Sequence, residues 1–358
     1  MTNRNFAYRG RDLNSTLGFT IISSISFILT IFAKSWLPQQ FLRDDAFYTS
    51  RLSSNVVGYK DSFSVVTSFY SFFGLSRNAF ILAGVQWIVA VSPLIIFKYK
   101  FKNPLKNSYS TSLTIIYLFL IPFYFGIYSK EIIVLVSLLS FLVIYSPLRK
   151  SQFNITMMIL CLLPLSILRT YYLMILGFSI VVYLPLRKIS KKIVWLIPLF
   201  ISSSLLTLEG LTGILYKLSG VNILTLRYLL VVQSPILANS TIHPAIFRGS
   251  FIWNFWNILL AFGNMAFPIK FTNVTLYSFI GVILSTLFIY VLIRSTIWKE
   301  HDTGLLTYLR SFTISFIAVA LIFEPDVGSF IRHSCPILIV AIFIEALKNN
   351  NLIIGNNV

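Results

Sequence analysis

The stretch of sequence that decides the fold is residues 17–37, LGFTIISSISFILTIFAKSWL, in which Lys34 is the one charged side chain. A helix needs about 20 apolar residues to cross the hydrocarbon core of a bilayer. Apolar runs of this length, or slightly shorter, recur along the chain as far as residue 347. Strands of a membrane barrel would instead alternate apolar and polar residues. We therefore predict an all-α fold, that of a polytopic helical membrane protein.

The composition agrees with this fold class and excludes a water-soluble protein. Of the 358 residues, 56% are hydrophobic and only 11% are charged, which is far from the usage of soluble domains. Lys and Arg number 29 against 11 Asp and Glu. Such an excess can indicate a nucleic-acid partner or the positive-inside rule. The distribution of the cations favours the positive-inside rule, because most of them fall in short connections between apolar runs. No nucleic-acid partner is expected.

These basic connections are expected to be cytoplasmic. They contain the clusters Arg4/Arg9/Arg11, Lys98/Lys100/Lys102/Lys106, Arg149/Lys150, Arg187/Lys188/Lys191/Lys192 and Arg294/Lys299/Arg310. Both termini are then cytoplasmic, and extracytoplasmic loops are predicted at 38–78 and 208–250. The whole chain, 1–358, is predicted to be a single integral membrane domain.

The apolar runs predict about ten to twelve transmembrane helices. They are expected near 17–37, 79–97, 110–128, 131–146, 153–168, 171–186, 193–207, 251–268, 273–293, 311–323 and 329–347. An odd number of crossings conflicts with the charge distribution. Either 221–238 also crosses, which gives twelve helices, or 251–268 lies in the interface, which gives ten. Trp253 and Trp256 favour the interfacial alternative, because indoles prefer the headgroup level.

The segment Glu324-Pro-Asp-Val-Gly-Ser-Phe-Ile-Arg-His333 is the strongest candidate for chemistry. Ionisable groups beside hydrocarbon are costly and mark a candidate functional site. Pro325 and Gly328 interrupt the helix, so Glu324 and Asp326 lie on an irregular turn, and Arg332 and His333 are expected in the first turn of the last helix. His333 can take a proton from an attacking hydroxyl. The alternative is a capped helix start with a satisfied ion pair.

Two further constellations lie on the same predicted outer side. One is the acidic pair Asp44-Asp45, which can hold a cation or divide into a base and its orienting partner; the alternative is a solvated loop start. The other consists of two hairpin tips, Ser129-Lys130-Glu131 and 169–172, expected to turn at 129–130 and 169–170. Outer arginines suit a phosphate, because a guanidinium offers a fixed fork of donors.

Asp45 with Tyr48, Ser129-Lys130-Glu131, Arg169 with Tyr172, and the segment 324–333 carry a resemblance to a known family. In these motifs and in its layout the chain resembles bacterial polysaccharide polymerases of the O-antigen polymerase (Wzy) type and the related EpsG-like exopolysaccharide proteins. The resemblance implies a GT-C-type glycosyltransferase of the bacterial cytoplasmic membrane that needs no metal and no cofactor. Such an enzyme joins undecaprenyl-diphosphate-linked repeat units at the outer face. Expected partners are the lipid-linked donor and acceptor, membrane lipids and a chain-length regulator.

These observations assign expected roles to named residues. The catalytic candidates are His333, Glu324, Asp326 and Asp45. The side chains expected to bind the diphosphate are Arg332, Arg169, Lys130, Arg227 and Arg248. Those expected to contact sugar are Asp44, Glu131, Tyr172 and Tyr48. No spacing of His, Cys and carboxylates predicts a metal site.

Two other functions stay open at this stage. Asp44-Asp45 also resembles the acidic pair of GT-C transferases that use a polyprenyl-phosphate sugar, in which an acidic residue is the base. A flippase or transporter of lipid-linked oligosaccharide is a third possibility, although transporters often show two similar halves and this chain shows no internal repeat.

Overall fold

The computed structural model describes residues 3–39, 41–53, 62–75, 78–100, 108–144, 162–168, 171–186, 194–213, 217, 250–268, 276–296, 304–324 and 326–355. Over these residues the secondary structure is helical, which confirms the all-α prediction. The helices are α1 Asn3–Ile31, α2 Ala33–Trp36, α3 Arg43–Ser53, α4 Ser62–Phe72, α5 Ala79–Lys100, α6 Ser108–Phe125, α7 Glu131–Ile144, α8 Pro164–Leu168, α9 Tyr171–Leu186, α10 Ile197–Thr212, α11 Phe251–Ala266, α12 Leu276–Thr296, α13 Gly304–Phe323, α14 Val327–Ser334 and α15 Ile337–Gly355.

Several of these helices are long and apolar enough to cross a membrane. Within the described residues there are four, Ala79–Lys98, Ser108–Phe125, Phe279–Thr296 and Leu305–Phe323, and the bent pair α14 and α15 is a fifth candidate. Five shorter apolar helices accompany them. The protein is therefore a polytopic helical membrane protein. The count of ten or twelve stays a prediction, and the segment 221–238 lies outside the described residues.

Two of the predicted helix starts are wrong, and both errors lie at the charged end of a helix. The first helix begins at Asn3 rather than residue 17, and α13 begins at Gly304 rather than residue 311. Arg310 therefore lies inside α13, where it is fully buried, and not in a cytoplasmic loop. The prediction failed because an apolar run ends at the first charge, whereas backbone hydrogen bonding continues past it.

The chain divides into two compact units, which are described separately. The first comprises Met1–Leu148 and Ala346–Val358, and the second comprises Arg149–Glu345. In the first unit, α1 packs on α5 and α6, α5 packs on α7, and α3 packs on α4. In the second unit, the almost wholly buried α13 packs against α9, α10 and α12. The prediction of a single domain stays a prediction.

The helix α11 has an unusual distribution of side chains. Asn254 and Asn257 are buried, and Nδ2 of Asn254 donates to Oγ1 of Thr207 on α10 at 3.0 Å. Trp253 and Trp256 are exposed on the outside of the unit. A polar inner face and an indole-bearing outer face suit a helix at the lipid boundary.

Candidate functional site

The second unit contains a buried pair of a histidine and a carboxylate. Glu324 follows α13, and its N–H donates to the carbonyl oxygen of Ala320 at 2.9 Å, so it is held by the last helical turn. His333 lies in the last turn of α14. Nδ1 of His333 is 2.6 Å from Oε1 of Glu324, and the two residues are only 7% and 2% exposed. A carboxylate in this position favours a proton on Nδ1 and stabilises the imidazolium.

The position of His333 in its helix differs from the prediction. Arg332 and His333 were expected in the first turn of the last helix, but they lie in the last turn of the separate helix α14. The chain bends by 47° between α14 and α15. The break falls at Pro336, which has no N–H and whose ring clashes with the preceding turn.

Asp326 forms the capped helix start that was the alternative for this segment. Its Oδ1 accepts the N–H of Ser329 at 2.9 Å, and its Oδ2 accepts the hydroxyl of Ser329 at the same distance. Such caps satisfy N–H groups that have no partner within the helix. Asp326 thus fixes the start of the helix that carries His333.

Tyr171 also belongs to this site, although no role was predicted for it from the sequence. Its hydroxyl lies 3.5 Å from Nδ1 of His333. Its ring stacks on Phe323, with centroids 5.7 Å apart, and on Tyr172, with centroids 5.3 Å apart. The start of α9 is therefore a neighbour of His333 and of the end of α13. The sequence signal that could have pointed to Tyr171 was its position beside Tyr172, a predicted sugar contact. In the structure, Tyr172 is itself fully buried.

The first unit brings two other predicted constellations together. Oδ2 of Asp45 lies 2.8 Å from Nζ of Lys34, and Oδ1 accepts the N–H of Tyr128 at 2.9 Å. Nζ of Lys34 also lies 4.8 Å from the centre of the Tyr128 ring. Asp45 is 7% exposed. A buried carboxylate needs charged or hydrogen-bonding partners. The partners of Asp45 come from α2 and from the turn after α6, so Asp45 joins these two elements to α3.

The turn after α6 is longer than predicted. The helix ends at Phe125, so the turn spans 126–130 rather than 129–130. A Cβ on Gly126 would lie 2.5 Å from Cβ of Ala33 and 2.7 Å from the carbonyl oxygen of Pro122. Only glycine permits this close approach of backbone and side chain.

Gln86 and Tyr70 hold this turn from two neighbouring helices. With its amide oriented by the hydrogen-bond network, Gln86 donates to the carbonyl oxygens of Phe125 at 2.5 Å and Ile127 at 3.0 Å. In this orientation the Tyr70 hydroxyl donates to the amide oxygen of Gln86 at 2.6 Å and accepts the N–H of Ser129 at 3.1 Å. Burial raises the pKa of the Tyr70 phenol well above its ordinary value, so the hydroxyl stays protonated. Burial, and then the charge of Asp45, also raise the pKa of Tyr128.

Several described cations of the first unit lie against aromatic rings. Nζ of Lys130 is 3.5 Å from the centre of the Phe63 ring. The guanidinium of Arg51 is 4.6 Å from the centre of the Phe47 ring, and its Nη1 donates to Ser64 Oγ at 3.1 Å. Such cation–π contacts orient a positive group beside an apolar surface.

The residues expected to contact sugar are mostly buried. Glu131 is 1% exposed and Tyr48 is fully buried, whereas Asp44 is half-buried. The N–H of Glu131 donates to Ser129 Oγ at 3.1 Å, so this residue begins α7 with a local cap. Their contact with a sugar stays a prediction.

The predicted diphosphate clamp is described only in part. Arg169, Arg227 and Arg248 lie outside the described residues. Arg332 is half-buried and directly precedes His333, and Lys130 is half-buried beside Phe63. Among the described residues, no group of three or more His, Cys, Asp and Glu side chains is arranged to hold a metal ion.

No family model, curated protein or solved structure in the comparisons matches the chain. The geometry of the two candidate sites is therefore what indicates a function. Of these, the His333 site pairs a buried carboxylate with an imidazole, and the Asp45 site pairs a buried carboxylate with a lysine.

Proposed function

We propose that the protein polymerises undecaprenyl-diphosphate-linked oligosaccharide units into O-antigen of lipopolysaccharide or capsular polysaccharide. The reaction takes place at the outer face of the bacterial cytoplasmic membrane. A hydroxyl oxygen of one unit attacks the anomeric carbon of another. A glycosidic bond forms, the bond from that carbon to the diphosphate breaks, and undecaprenyl diphosphate leaves with the electron pair. The hydroxyl proton is taken up by the protein.

The observation that carries the proposal is the His333–Glu324 pair. A general base must have a second group that holds it in the right tautomer and stabilises its charged form. With Nδ1 of His333 2.6 Å from Glu324, Nε2 is the ring atom that takes the proton. Buried ionisable groups in a membrane protein are costly and mark a candidate functional site.

The leaving group requires positive charge near the base. Arg332 is adjacent to His333 in α14 and is half-buried. A guanidinium at this position suits the diphosphate, since it forms paired hydrogen bonds with phosphate oxygens. We assign Arg332 and Arg169 as the diphosphate clamp, with Arg227 and Arg248 in support.

The geometry of the first unit supports His333 over Asp45 as the base. Both carboxylate oxygens of Asp45 are engaged, one by Lys34 and one by the N–H of Tyr128. Proton uptake by Asp45 would weaken its ion pair with Lys34 and its hydrogen bond from the N–H of Tyr128, which holds the turn after α6. A transferase that adds a single sugar from a polyprenyl phosphate, with Asp45 as base, is therefore the less favoured function.

The surface polysaccharide of a deletion strain tests the proposal. Loss of the gene should leave one repeat unit on the lipid core in place of a ladder of lengths, and the wild-type gene should restore the ladder. His333→Ala should fail to restore it. His301→Ala, which removes a histidine from a charged connection outside the described residues, is the matched control and should restore it.

The alternatives give different profiles in the same experiment. A full ladder with His333→Ala and none with Asp45→Asn would remove His333 from the site and favour Asp45 as the base. Repeat units retained on the inner leaflet of the deletion strain would indicate a flippase.

A further inference from the structure

Tyr171 is placed to control both members of the His333–Glu324 pair. It is the first residue of α9, and its hydroxyl faces Nδ1 of His333 at 3.5 Å. Its ring is nearly parallel to that of Phe323, with an interplanar angle of 21°. Phe323 directly precedes Glu324 at the end of α13. The Tyr171 side chain thus contacts both His333 and Phe323, the residue next to Glu324 in the chain.

The ring contact fixes the end of α13. Stacked aromatic pairs stabilise by about 0.5–1.5 kcal/mol beyond the area that they bury. Glu324 directly follows Phe323, the last residue of α13, so the Tyr171 ring holds the residue next to the carboxylate. Without this ring, Phe323 loses a contact that helps to keep Glu324 at 2.6 Å from His333.

The hydroxyl has a second and smaller effect. At 3.5 Å it is too distant from Nδ1 to compete with Glu324 for the proton, since good hydrogen bonds to nitrogen are near 2.9 Å. It does fill the space beside Nδ1 with a polar atom. This contact adds to those that hold the imidazole beside Glu324.

We infer that Tyr171 is a positioning residue, which holds Glu324 and His333 in register so that Nε2 remains the proton acceptor. This inference rests on the proposed function. Because Tyr171 acts through the pair and not on the substrate, its loss lowers kcat and leaves KM unchanged. The ring contributes more than the hydroxyl.

The test uses the purified full-length protein in lipid nanodiscs. The probe is the lipid-linked repeat unit extracted from the membranes of a strain that lacks the gene. Tyr171→Leu, which removes the ring, should lower kcat by more than about tenfold, whereas Tyr171→Phe, which keeps it, should stay within about fivefold of wild type. KM should change by less than about twofold in both variants.

A matched control removes another hydroxyl between the same two helices. The Tyr308 hydroxyl of α13 lies 2.6 Å from Oγ of Ser179 on α9, far along the helix from Glu324. Tyr308→Phe should keep both kcat and KM within about twofold of wild type. If Tyr171→Leu lowered kcat only by loosening the contact between α9 and α13, Tyr308→Phe would lower kcat too.

A double-mutant cycle separates positioning from simple structural support. In a Glu324→Gln protein, which has already lost the carboxylate, Tyr171→Leu should lower kcat by less than about twofold more. An undiminished tenfold loss in that background would contradict the inference. So would a raised KM with unchanged kcat, which would make Tyr171 a substrate contact.

Failure of the inference and failure of the proposed function give different results. If His333→Ala is inactive and Tyr171→Leu has wild-type kcat, only the positioning role is wrong. If His333→Ala polymerises at the wild-type rate, the proposed base is wrong, and the role of Tyr171 is wrong with it.

Discussion

At the scale of single residues, the partners of two buried carboxylates determine what each can do. Asp45 is engaged by a lysine and a backbone N–H, so its charge stabilises the fold of the first unit. Glu324 is engaged by an imidazole, which can change its own protonation state. The contacts of Asp45 therefore suit a structural use, whereas for Glu324 we propose a chemical one.

Replacing Glu324 by glutamine tests this distinction. Glu324→Gln keeps the size of the side chain but removes the charge that stabilises the imidazolium and favours a proton on Nδ1. We expect kcat to fall by about 100-fold or more, measured as polymer formed from extracted lipid-linked units in nanodiscs. Glu209→Gln, a change at another buried glutamate of the second unit, should stay within about twofold.

Tyr70 gives a residue-scale prediction for stability and its pH dependence. Tyr70→Phe leaves the Ser129 backbone without its buried partner and should lower the free energy of unfolding by about 1–3 kcal/mol at pH 7. Burial raises the pKa of Tyr70. Above pH 10 the unfolded protein releases this proton and the folded protein keeps it, so wild-type stability falls by up to about 1.4 kcal/mol per pH unit.

The phenylalanine variant lacks that proton, so the stability difference between wild type and Tyr70→Phe should shrink between pH 9 and pH 12. Unfolding followed by intrinsic fluorescence measures it. A difference that stays constant across this range would contradict the assignment of the raised pKa to Tyr70.

At the scale of elements, the sequence predicted which segments are helical but not where several of them end. Apolar runs predicted α5, α9 and α12 closely, because the membrane requires a continuous apolar helix surface. The start of α13 was missed because Arg310 was taken as the end of the membrane segment. The bend before α15 had a signal in Pro336, yet the apolar run continues through it.

The sequence also identified Asp45, the 129–131 tip and the segment 324–333, but it did not predict which of them meet. The contact between Asp45 and the turn after α6 uses the backbone N–H of Tyr128, and a backbone donor has no residue type that reveals it. The contact between Tyr171 and His333 joins residues far apart in the chain. Such pairings depend on helix packing, which a single sequence does not encode in any short motif.

Gly126 tests the packing of the turn after α6. Because a Cβ there would overlap Ala33 and the backbone of Pro122, Gly126→Ala should destabilise the protein by about 1–3 kcal/mol and lower its thermal midpoint in detergent. Gly84→Ala is the matched control in the same unit. Its Cβ would meet only Cδ1 of Ile31 at an ordinary 3.6 Å, so its thermal midpoint should be unchanged or slightly higher. Equal midpoints for both variants would show that the turn tolerates a side chain.

At the scale of the whole molecule, the described part of each compact unit contains one of the two candidate sites, and each site is built on a buried carboxylate. In the proposed reaction, His333 is the base, Glu324 orients it, and Arg332 carries the charge that faces a phosphate leaving group. The proposed reaction requires no nucleotide, because the sugar–diphosphate bond supplies the free energy. The proposed polymerisation uses all three groups at once.

The most direct measurement of this central claim counts the undecaprenyl diphosphate released by purified protein in nanodiscs supplied with extracted lipid-linked repeat units. The proposed reaction predicts one undecaprenyl diphosphate for each new glycosidic bond and a ladder of product lengths. It also predicts at least about 100-fold slower release with His333→Ala. Wild-type release and a full ladder from His333→Ala, or release from the wild type without any product longer than a single unit, would contradict the account.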